Sequence, residues 1–352
     1  MQCPACGKCP VLSTEEVLAG MGGLYTACRN CFPELNLDKE RPLQELLRDD
    51  VRRFAERSEE WAKAEKSAFS RCSSCGKAPL DAVMFDALLV LQEFGLRDEK
   101  DSLRSVGTPL IVFGYPLAFP PRLGPHSLII VGERITKAAA EAMTSRIPEI
   151  KGVILSRGGV PGLKDYSVGP VENTLLSGCD LRADVVQSLF GELVIYKSQS
   201  KIHIEFPRQN APKMKLLEEF FFKGKIDEVV DGLAGPGTLG LMCVVAGARR
   251  VVLNDAWLPA VQNILLNLEA NRKILGIEEI EHHEAPTAAV GREPALVARA
   301  RGACEIEVYH GDLTRLFNRA KPAGLCLIDH FPGARTKEME DACRCCGKVV
   351  IV

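Results

Sequence analysis

The apolar positions change rhythm along the chain, and the change predicts where its elements lie. Ser127 to Val131 reads as a buried strand, Ala138 to Arg146 as a helix and Val153 to Leu155 as another strand. Glu192 to Tyr196 and Lys201 to Phe206 then predict a hairpin, its second arm alternating in Ile202-His203-Ile204-Glu205. An apolar run, Ile226 to Val230, leads into Asp231-Gly232-Leu233-Ala234-Gly235-Pro236-Gly237-Thr238-Leu239-Gly240, and the small, apolar segment Leu239 to Ala246 leads out. That order is strand, tight glycine turn, helix. The next strand, Arg250 to Asn254, ends at Asp255, and the alternation of Ile306 and Val308 marks another that ends ahead of Asp312. Upstream, Leu43 to Ser67 is charged, with Leu46, Val51, Phe54 and Trp61 at helical spacing, and Leu80 to Phe94 predicts a second helix. Val106 to Pro125, rich in Gly and Pro, reads as a rigid, irregular connector.

These rhythms divide the chain into a Cys-rich module over 1–80, a helical and Pro/Gly-rich connector over 81–126, a small α+β domain over 127–225 and an α/β domain over 226–352. Two or three domains are what 352 residues lead one to expect. No run of about 18 apolar residues is present, so no membrane span is expected. Met1-Gln2-Cys3-Pro4 lacks the charged and apolar segments of a signal peptide, and a cytoplasmic location follows as the expectation. A net charge of −2 argues against a surface coated with nucleic acid. A local basic patch is still open, because Arg208, Lys213, Lys215, Lys223 and Lys225 follow the predicted hairpin closely; a solvated helix face explains them equally well.

The cysteines sharpen the picture of the first region. Of fourteen in the chain, seven precede residue 76, as Cys3-x2-Cys6-x2-Cys9, Cys28-x2-Cys31 and Cys72-x2-Cys75. Repeated CxxC pairs in a cytosolic chain point to metal ligation instead of disulfides. Two such pairs close a four-cysteine zinc site, and Cys3, Cys6, Cys28 and Cys31 are the simplest set. Cys72 and Cys75 can replace either pair, since spacing does not fix which knuckles share an ion. The Cys3/Cys6/Cys9 triple also resembles part of an iron–sulfur ligand run, so a cluster stays open beside zinc. No His lies near the knuckles, so the zinc is read as structural, holding a segment without a core of its own. Cys343-x-Cys345-Cys346 is read as helix packing.

The glycine turn carries the chemistry. Gly235, Gly237 and Gly240 match GxGxxG, which alone serves a dinucleotide or S-adenosylmethionine (SAM). A dinucleotide places its pyrophosphate at the helix N-terminus and has no fixed need for an acid ahead of the glycines. SAM carries an ammonium group, and Asp231 stands four residues before Gly235. Asp255, at the tip of the next strand, suits the ribose hydroxyls in either case. Asp312, after a third strand, is where SAM enzymes typically present an acid to the adenine amine, with Leu313 beside it. Three acids at three successive strand ends favour SAM. The plain alternative is an α/β domain with packing glycines and solvated strand-end acids.

From about residue 130 onward the order of elements resembles the tRNA guanine N1-methyltransferases of archaea and eukaryotes and their wybutosine-pathway relatives. Gly191-Glu192-Leu193-Val194 resembles the stretch leading to their "YFSPR" element, with Phe206-Pro207-Arg208 as a shortened version. Asp231 to Gly240 resembles their "DMFAGVGPF" turn, and Asn254-Asp255-Ala256-Trp257-Leu258-Pro259-Ala260 their "D-x-N-P-x-A" ribose segment, followed by a helix with Asn267 and Asn271. Ile328-Asp329-His330-Phe331-Pro332-Gly333-Ala334 sits where they carry "MNLPxxA", and Gly347 to Val352 where their fifth strand runs. The likeness covers about 220 residues, and the SAM turn is its specific part. It implies a Rossmann-like SAM methyltransferase sheet over 226–352, behind a small α+β domain and the Cys-rich zinc-binding module. That sheet ends at its fifth strand, and strands six and seven are either missing or replaced by another part of the chain or a partner.

The resemblance assigns Asp231, Leu233, Ala234, Gly235 and Gly237 to the methionine end of SAM. It assigns Asp255 and Ala256 to the ribose, Asp312 and Leu313 to the adenine. His330 and Pro332 face the methyl group, and Arg208 steadies the acceptor. Where the family has asparagine this chain has His330, which suits a proton acceptor near neutral pH or signals a different substrate. A methyltransferase of RNA, most simply tRNA, is therefore expected, with zinc and SAM as cofactors. A SAM-dependent enzyme acting on a small molecule or a protein, and a zinc-knuckle scaffold with a degenerate SAM fold, stand as alternatives; a homodimer is compatible with each.

Overall fold

The N-terminal segment folds back on itself before its first helix. In the computed structural model the described residues are 1–31, 37–42, 45, 71–162, 164–165, 169–170, 172–208, 210–283, 290–291, 293–330 and 337–352. Apart from Glu45, the helix expected over Leu43 to Ser67 lies outside them, as does Pro332. Helix α1 (Thr14–Leu24) begins at a capping box. The Ser13 side chain accepts from the Glu16 N–H, and the Ser13 N–H donates to Glu16 Oε2 at 2.7 Å. Helix α2 (Leu80–Glu93) is apolar on most of its circumference, which is why it is buried on most of it.

Strands β1 (Thr108–Ile111), β2 (Phe113–Gly114) and β3 (Leu128–Gly132) are followed by helix α3 (Lys137–Arg146) and strands β4 (Ile150–Leu155), β5 (Thr174–Gly178), β6 (Leu181–Ser188) and β7 (Gly191–Ser198). They form a four-stranded sheet in the order β1-β3-β4-β5 and a three-stranded sheet in the order β7-β6-β2. α2 and α3 pack over the first sheet, with Phe85, Leu88, Leu91, Ala139 and Met143 buried against Leu128, Ile130 and Val153. The Pro/Gly-rich stretch expected as a connector thus supplies β1 and β2. Its prolines sit at an edge strand and in the links, where a missing N–H is tolerated.

The hairpin falls one strand earlier than the alternation at Ile202 predicts. β6 pairs with β7 from Leu181↔Ser198 to Ser188↔Gly191, across a two-residue turn. Residues 203–208 form a strap without regular structure. They are not needed as a strand because the outer edge of β7 already has partners in a later helix.

The last region begins with α4 (Pro212–Lys223) and β8 (Glu228–Asp231), then α5 (Thr238–Val245), β9 (Arg250–Asp255) and α6 (Leu258–Ala270). Next come strands β10 (Ile277–His282), β11 (Ala295–Gly302), β12 (Glu305–His310) and β13 (Leu325–Ile328), then helix α7 (Lys337–Ala342) and strand β14 (Lys348–Ile351). The seven strands form one sheet in the order β10-β11-β12-β9-β8-β13-β14. β12, β9, β8, β13 and β14 run parallel, while β10 and β11 add an antiparallel hairpin at the far edge. This is the strand order of a Rossmann-like methyltransferase sheet as far as its fifth strand. Among the described residues nothing pairs with the outer edge of β14. Val229, Val251, Val252 and Leu253 are buried on both faces, as central parallel strands require.

Two asparagines of α6, Asn263 and Asn267, and its C-cap Asn271 lock this sheet to the preceding hairpin. Tyr196 donates its N–H to Asn267 Oδ1 at 2.7 Å, and Asn267 Nδ2 donates to Tyr196 O at 3.0 Å. Ser198 N–H donates to Asn263 Oδ1 at 2.9 Å, and Asn271 Nδ2 donates to Val194 O at 2.9 Å. The Val194 N–H donates to Thr14 Oγ1, which in turn donates to Asn271 Oδ1. Four helical residues rise about 6 Å and two strand residues about 6.6 Å, so i, i+4, i+8 on the helix tracks j, j−2, j−4 on the strand, which runs antiparallel to it. The amides act as a surrogate strand, and they cover the edge of β7 without continuing the sheet.

Candidate functional site

The strand order reverses at β8: β9 and β12 lie on one side of it, and β13 and β14 on the other. Ligands of open α/β sheets bind outside the carboxyl ends of the strands at such a switch point. Here that point opens into a cleft of about 2210 Å³ between the sheet and the strap 203–208. The glycine turn forms one wall. Gly235 and Gly237 have φ of 54° and 89°, the left-handed region, and Gly237 is the N-cap of α5. A Cβ on Gly240 would meet Leu253 Cδ2 at 2.2 Å, so this glycine lets the helix settle onto β9.

Asp231 is 1 % exposed. Its Oδ2 accepts from the Gly240 N–H at 2.9 Å, whereas Oδ1 is buried without a partner among the described residues. Burial, with the nearby charges of Asp329 and Asp255 adding to it, pushes this carboxyl up to about 7. The Asp255 carboxylate reaches back over the turn, accepting from Gly235 N–H at 2.8 Å and Trp257 N–H at 2.7 Å. Burial pushes it up to about 6 against those bonds. Thr238 Oγ1 and Asn254 Oδ1 are further buried acceptors without a partner among the described residues. Asn254 Nδ2 donates to Gly232 O and Gly311 O, which ties the ends of β8, β9 and β12 together. A cationic ligand with hydroxyl groups fits this wall, since it would partner Asp231 Oδ1 and relieve the like-charge crowding.

The opposite wall is a relay of charges that enters from the hairpin. Arg182 pairs with Asp184 at 2.7 Å, Asp184 with Lys197 at 3.1 Å, and Lys197 with Glu205 at 3.1 Å. Glu205 also faces Lys213 at 3.3 Å, and Lys213 Nζ donates to Asp329 Oδ2 at 2.6 Å. His203 and these lysines hold the Glu205 carboxyl far below its usual range. Asp329 follows β13, so the relay ends at the mouth of the switch point. Asp329, Lys213 and Glu205 carry no sequence motif of their own. Only the placement of Asp329 at a strand end beside His330 hinted at a site residue.

Of the residues expected from the sequence, Asp231, Leu233, Ala234, Gly235, Asp255, Ala256, Arg208 and His330 line the cleft. Gly237 lies one step behind it as the helix cap. Asp312 and Leu313 stand off the wall. The Asp312 carboxylate is exposed and caps the next short helix, accepting from Thr314 N–H at 2.9 Å and Thr314 Oγ1 at 2.8 Å. Leu313 is buried beneath Gly232, where a Cβ would meet it at 2.7 Å.

The six N-terminal cysteines expected as ligands separate into two places. Cys28, Cys31, Cys72 and Cys75 gather, with Cys28–Cys72 at 3.7 Å, Cys28–Cys31 at 3.7 Å and Cys31–Cys75 at 3.6 Å. Ligands about 2.3 Å from a common tetrahedral centre stand about 3.8 Å apart, so these four fit one zinc ion. Cys3 and Cys6 are not part of that set, contrary to the simplest pairing of knuckles. They lie instead beside Cys179, because the Met1–Val11 loop packs against the β5–β6 turn. Cys343 and Cys346 are buried with Cys326 among Val230, Val252 and Ile328, in keeping with a packing role.

No protein-family model and no curated protein matches the chain. Among solved structures it is similar to Trm1 from Pyrococcus horikoshii, with S-adenosyl-L-methionine, at 22 % identity and a TM-score of 0.32, over 46 % of this chain and 39 % of that one. It is also similar to the M. jannaschii tRNA m1G37 methyltransferase, at 15 % identity and a TM-score of 0.35, over 62 % and 53 %. A third is P. horikoshii TYW2 in complex with MeSAdo, at 13 % identity and a TM-score of 0.39, over 74 % and 76 %. The chain thus spans about two fifths of the first and about half of the second. Likeness at TM-scores this low says nothing of the activity, for which the strand order and the cleft are the grounds.

Proposed function

We propose that the protein is a SAM-dependent methyltransferase whose acceptor is RNA. The observation that carries this is Asp231 Oδ1, a buried carboxylate oxygen without a partner among the described residues, at the switch point and aligned with a left-handed glycine turn. Asp231 would hold the ammonium of SAM. The N–H groups at Gly235, Gly237 and the start of α5 would hold its carboxylate, and Asp255 its ribose. Leu233, Ala234 and Ala256 would pack on the flat parts. When bound, SAM supplies an electrophilic methyl on a sulfonium. Asp312 and Leu313, off the cleft wall, keep the local work of capping and packing.

The chain's own residues align the acceptor and handle its proton. Lys213 fixes Asp329 through Oδ2, which presents a rigid carboxylate to an N–H of the acceptor base. His330, next in sequence and also on the wall, is the candidate to take the proton that methylation releases. Arg208 and Arg134 are exposed on the rim, where guanidinium groups suit a phosphate backbone. The cleft exceeds the roughly 300–1,000 Å³ of an ordinary small-ligand site and so has room for donor and acceptor together. Zinc bound by Cys28, Cys31, Cys72 and Cys75 is structural in this scheme, as all four positions are closed by thiolates.

A second reading, a small-molecule acceptor, is favoured by one observation. Acidic and basic groups alternate around the cleft instead of forming a face of one sign. Incubation with isotopically labelled SAM and total tRNA, set beside a small-molecule extract and followed by mass spectrometry, separates the two. Label in a nucleoside supports the first and label in the small-molecule fraction the second. Label in neither, despite SAM binding, contradicts both.

A further inference from the structure

We infer that Cys3, Cys6, Cys9 and Cys179 form a second tetrahedral zinc site, separate from the first, that fastens the N-terminal loop to the β5–β6 turn. Among the described residues only two groups of potential ligands gather within 4.8 Å, and Cys3, Cys6 and Cys179 are one of them. Cys3 Sγ and Cys179 Sγ stand 3.8 Å apart, which matches the separation of about 3.8 Å set by a tetrahedral ion with sulfur ligands. It is far beyond the S–S bond of about 2.05 Å in a disulfide. In a [4Fe–4S] cluster each cysteine sits on its own iron, so its sulfurs stand further apart than this. Cys9 stands outside that group but next to it, its N–H donating to Cys6 Sγ at 3.4 Å, and is the residue the proposal adds as the fourth ligand.

The backbone repeats the construction of the first site. Gly7 donates its N–H to Cys3 O at 2.8 Å, as Gly76 does to Cys72 O at 2.7 Å. Both glycines are left-handed, with φ of 65° and 70°. The Cys9 N–H donates back to Cys6 Sγ at 3.4 Å, an N–H···S bond within the knuckle segment. Cys3-x2-Cys6-Gly7 is therefore the same metal knuckle as Cys72-x2-Cys75-Gly76, and its ligand partner comes from another part of the chain. Nearby, the buried Lys151 donates to Leu181 O at 2.6 Å and offers a cation to offset the charge of four thiolates. The site also sits where a clamp has work to do. Residues 1–11 are held by a single bridge, Gln2↔Pro10, and few bonds, yet Leu12 is fixed to Tyr196 of β7 in both directions at 2.9 Å.

The test is elemental analysis of the full chain, purified under reducing conditions from zinc-supplemented cells. Two zinc ions per chain are expected in the wild type, and one in Cys179→Ser and in Cys75→Ser. X-ray absorption at the zinc edge of Cys75→Ser then reports the second site alone, and a sulfur-only shell is expected. One zinc in the wild type that Cys179→Ser leaves in place would overturn the proposal. So would a Cys3–Cys179 disulfide found by peptide mapping, iron with acid-labile sulfide, or a nitrogen and oxygen shell in Cys75→Ser. If Cys179→Ser proves insoluble, the wild-type stoichiometry and its absorption shell decide the matter without it.

Discussion

The seam between α6 and β7 and the cleft at the head of β8 are both lined by buried polar atoms, and they treat them in opposite ways. At the seam, Asn263, Asn267 and Asn271 have each amide bonded to a backbone or hydroxyl partner. In the cleft, Asp231 Oδ1 and Thr238 Oγ1 are buried and have none among the described residues, and the same holds for Asn254 Oδ1 behind its wall. An unmade bond at a buried polar atom costs roughly 1–3 kcal/mol. A fold keeps such atoms where a ligand supplies the missing partner, and removes them where the task is to hold two regions at a fixed angle. Asn267 touches both worlds, because its Nδ2 also donates to Pro236 O inside the glycine turn at 2.8 Å.

The comparison breaks most sharply at Asp231. In Asp231→Asn the ammonium of SAM loses its carboxylate, and affinity measured at pH 8 falls by about a hundredfold or more, the scale of breaking a buried pair at roughly 3–5 kcal/mol. The unliganded variant gains stability at the same time. The folded carboxyl titrates at about 7 instead of its ordinary 3.8, so the fold favours the protonated form. The native contribution of this group is therefore present below pH 4 and is lost as pH rises toward 7, at a cost on the order of 4 kcal/mol above it. In thermal melts the amide raises the midpoint at pH 8 and leaves it little changed at pH 4. A variant that is both unstable and unable to bind would erase the contrast.

Asn267→Ala is expected to do the reverse, costing about 3 kcal/mol in denaturant unfolding as Tyr196 N–H, Tyr196 O and Pro236 O lose their partner. Asn267→Asp sharpens the point, since a carboxylate accepts from Tyr196 N–H but cannot donate to either carbonyl. Its stability at neutral pH should fall at least as far as that of the alanine variant, because the buried carboxylate is set against both carbonyl oxygens. Thr14→Val, similar in shape and without the bridging hydroxyl, is expected to cost about 1–2 kcal/mol by the same measurement. The smallest effect is at Lys213. Its charge holds the Asp231 carboxyl down, so Lys213→Met should move the pH midpoint of SAM binding upward by less than about one unit while turnover falls about tenfold. Equal loss of SAM affinity and of turnover would mean that Lys213 acts through the fold and not through Asp329.

The glycine-turn wall of the cleft was legible in the sequence because its signals are local. Asp231, Gly235, Gly237 and Asp255 lie within one strand, one turn and the next strand, and left-handed glycines leave few other uses for such a turn. What was not legible depends on distance along the chain. Spacing cannot say that Cys28 and Cys31 close with Cys72 and Cys75, or that a single cysteine at 179 completes the first knuckle. The alternation at Ile202 resembles a strand, but the edge it would have paired with is taken by asparagines whose spacing reads as ordinary helix. Asp312 followed by Thr314 is also the signature of a helix cap, and that local bond competes with any role in the cleft. Lys213 and Glu205 become site residues only because folding brings the strap against Asp329.

The most direct test is titration calorimetry of the wild-type chain with SAM, at pH 6 and pH 8 and in two buffers of different ionisation enthalpy. Binding that weakens by close to tenfold per unit below about pH 7, with a proton released on binding at pH 6, is the predicted result. Absence of binding, or an affinity indifferent to pH and to Asp231→Asn, would contradict the assignment of the turn as the donor site.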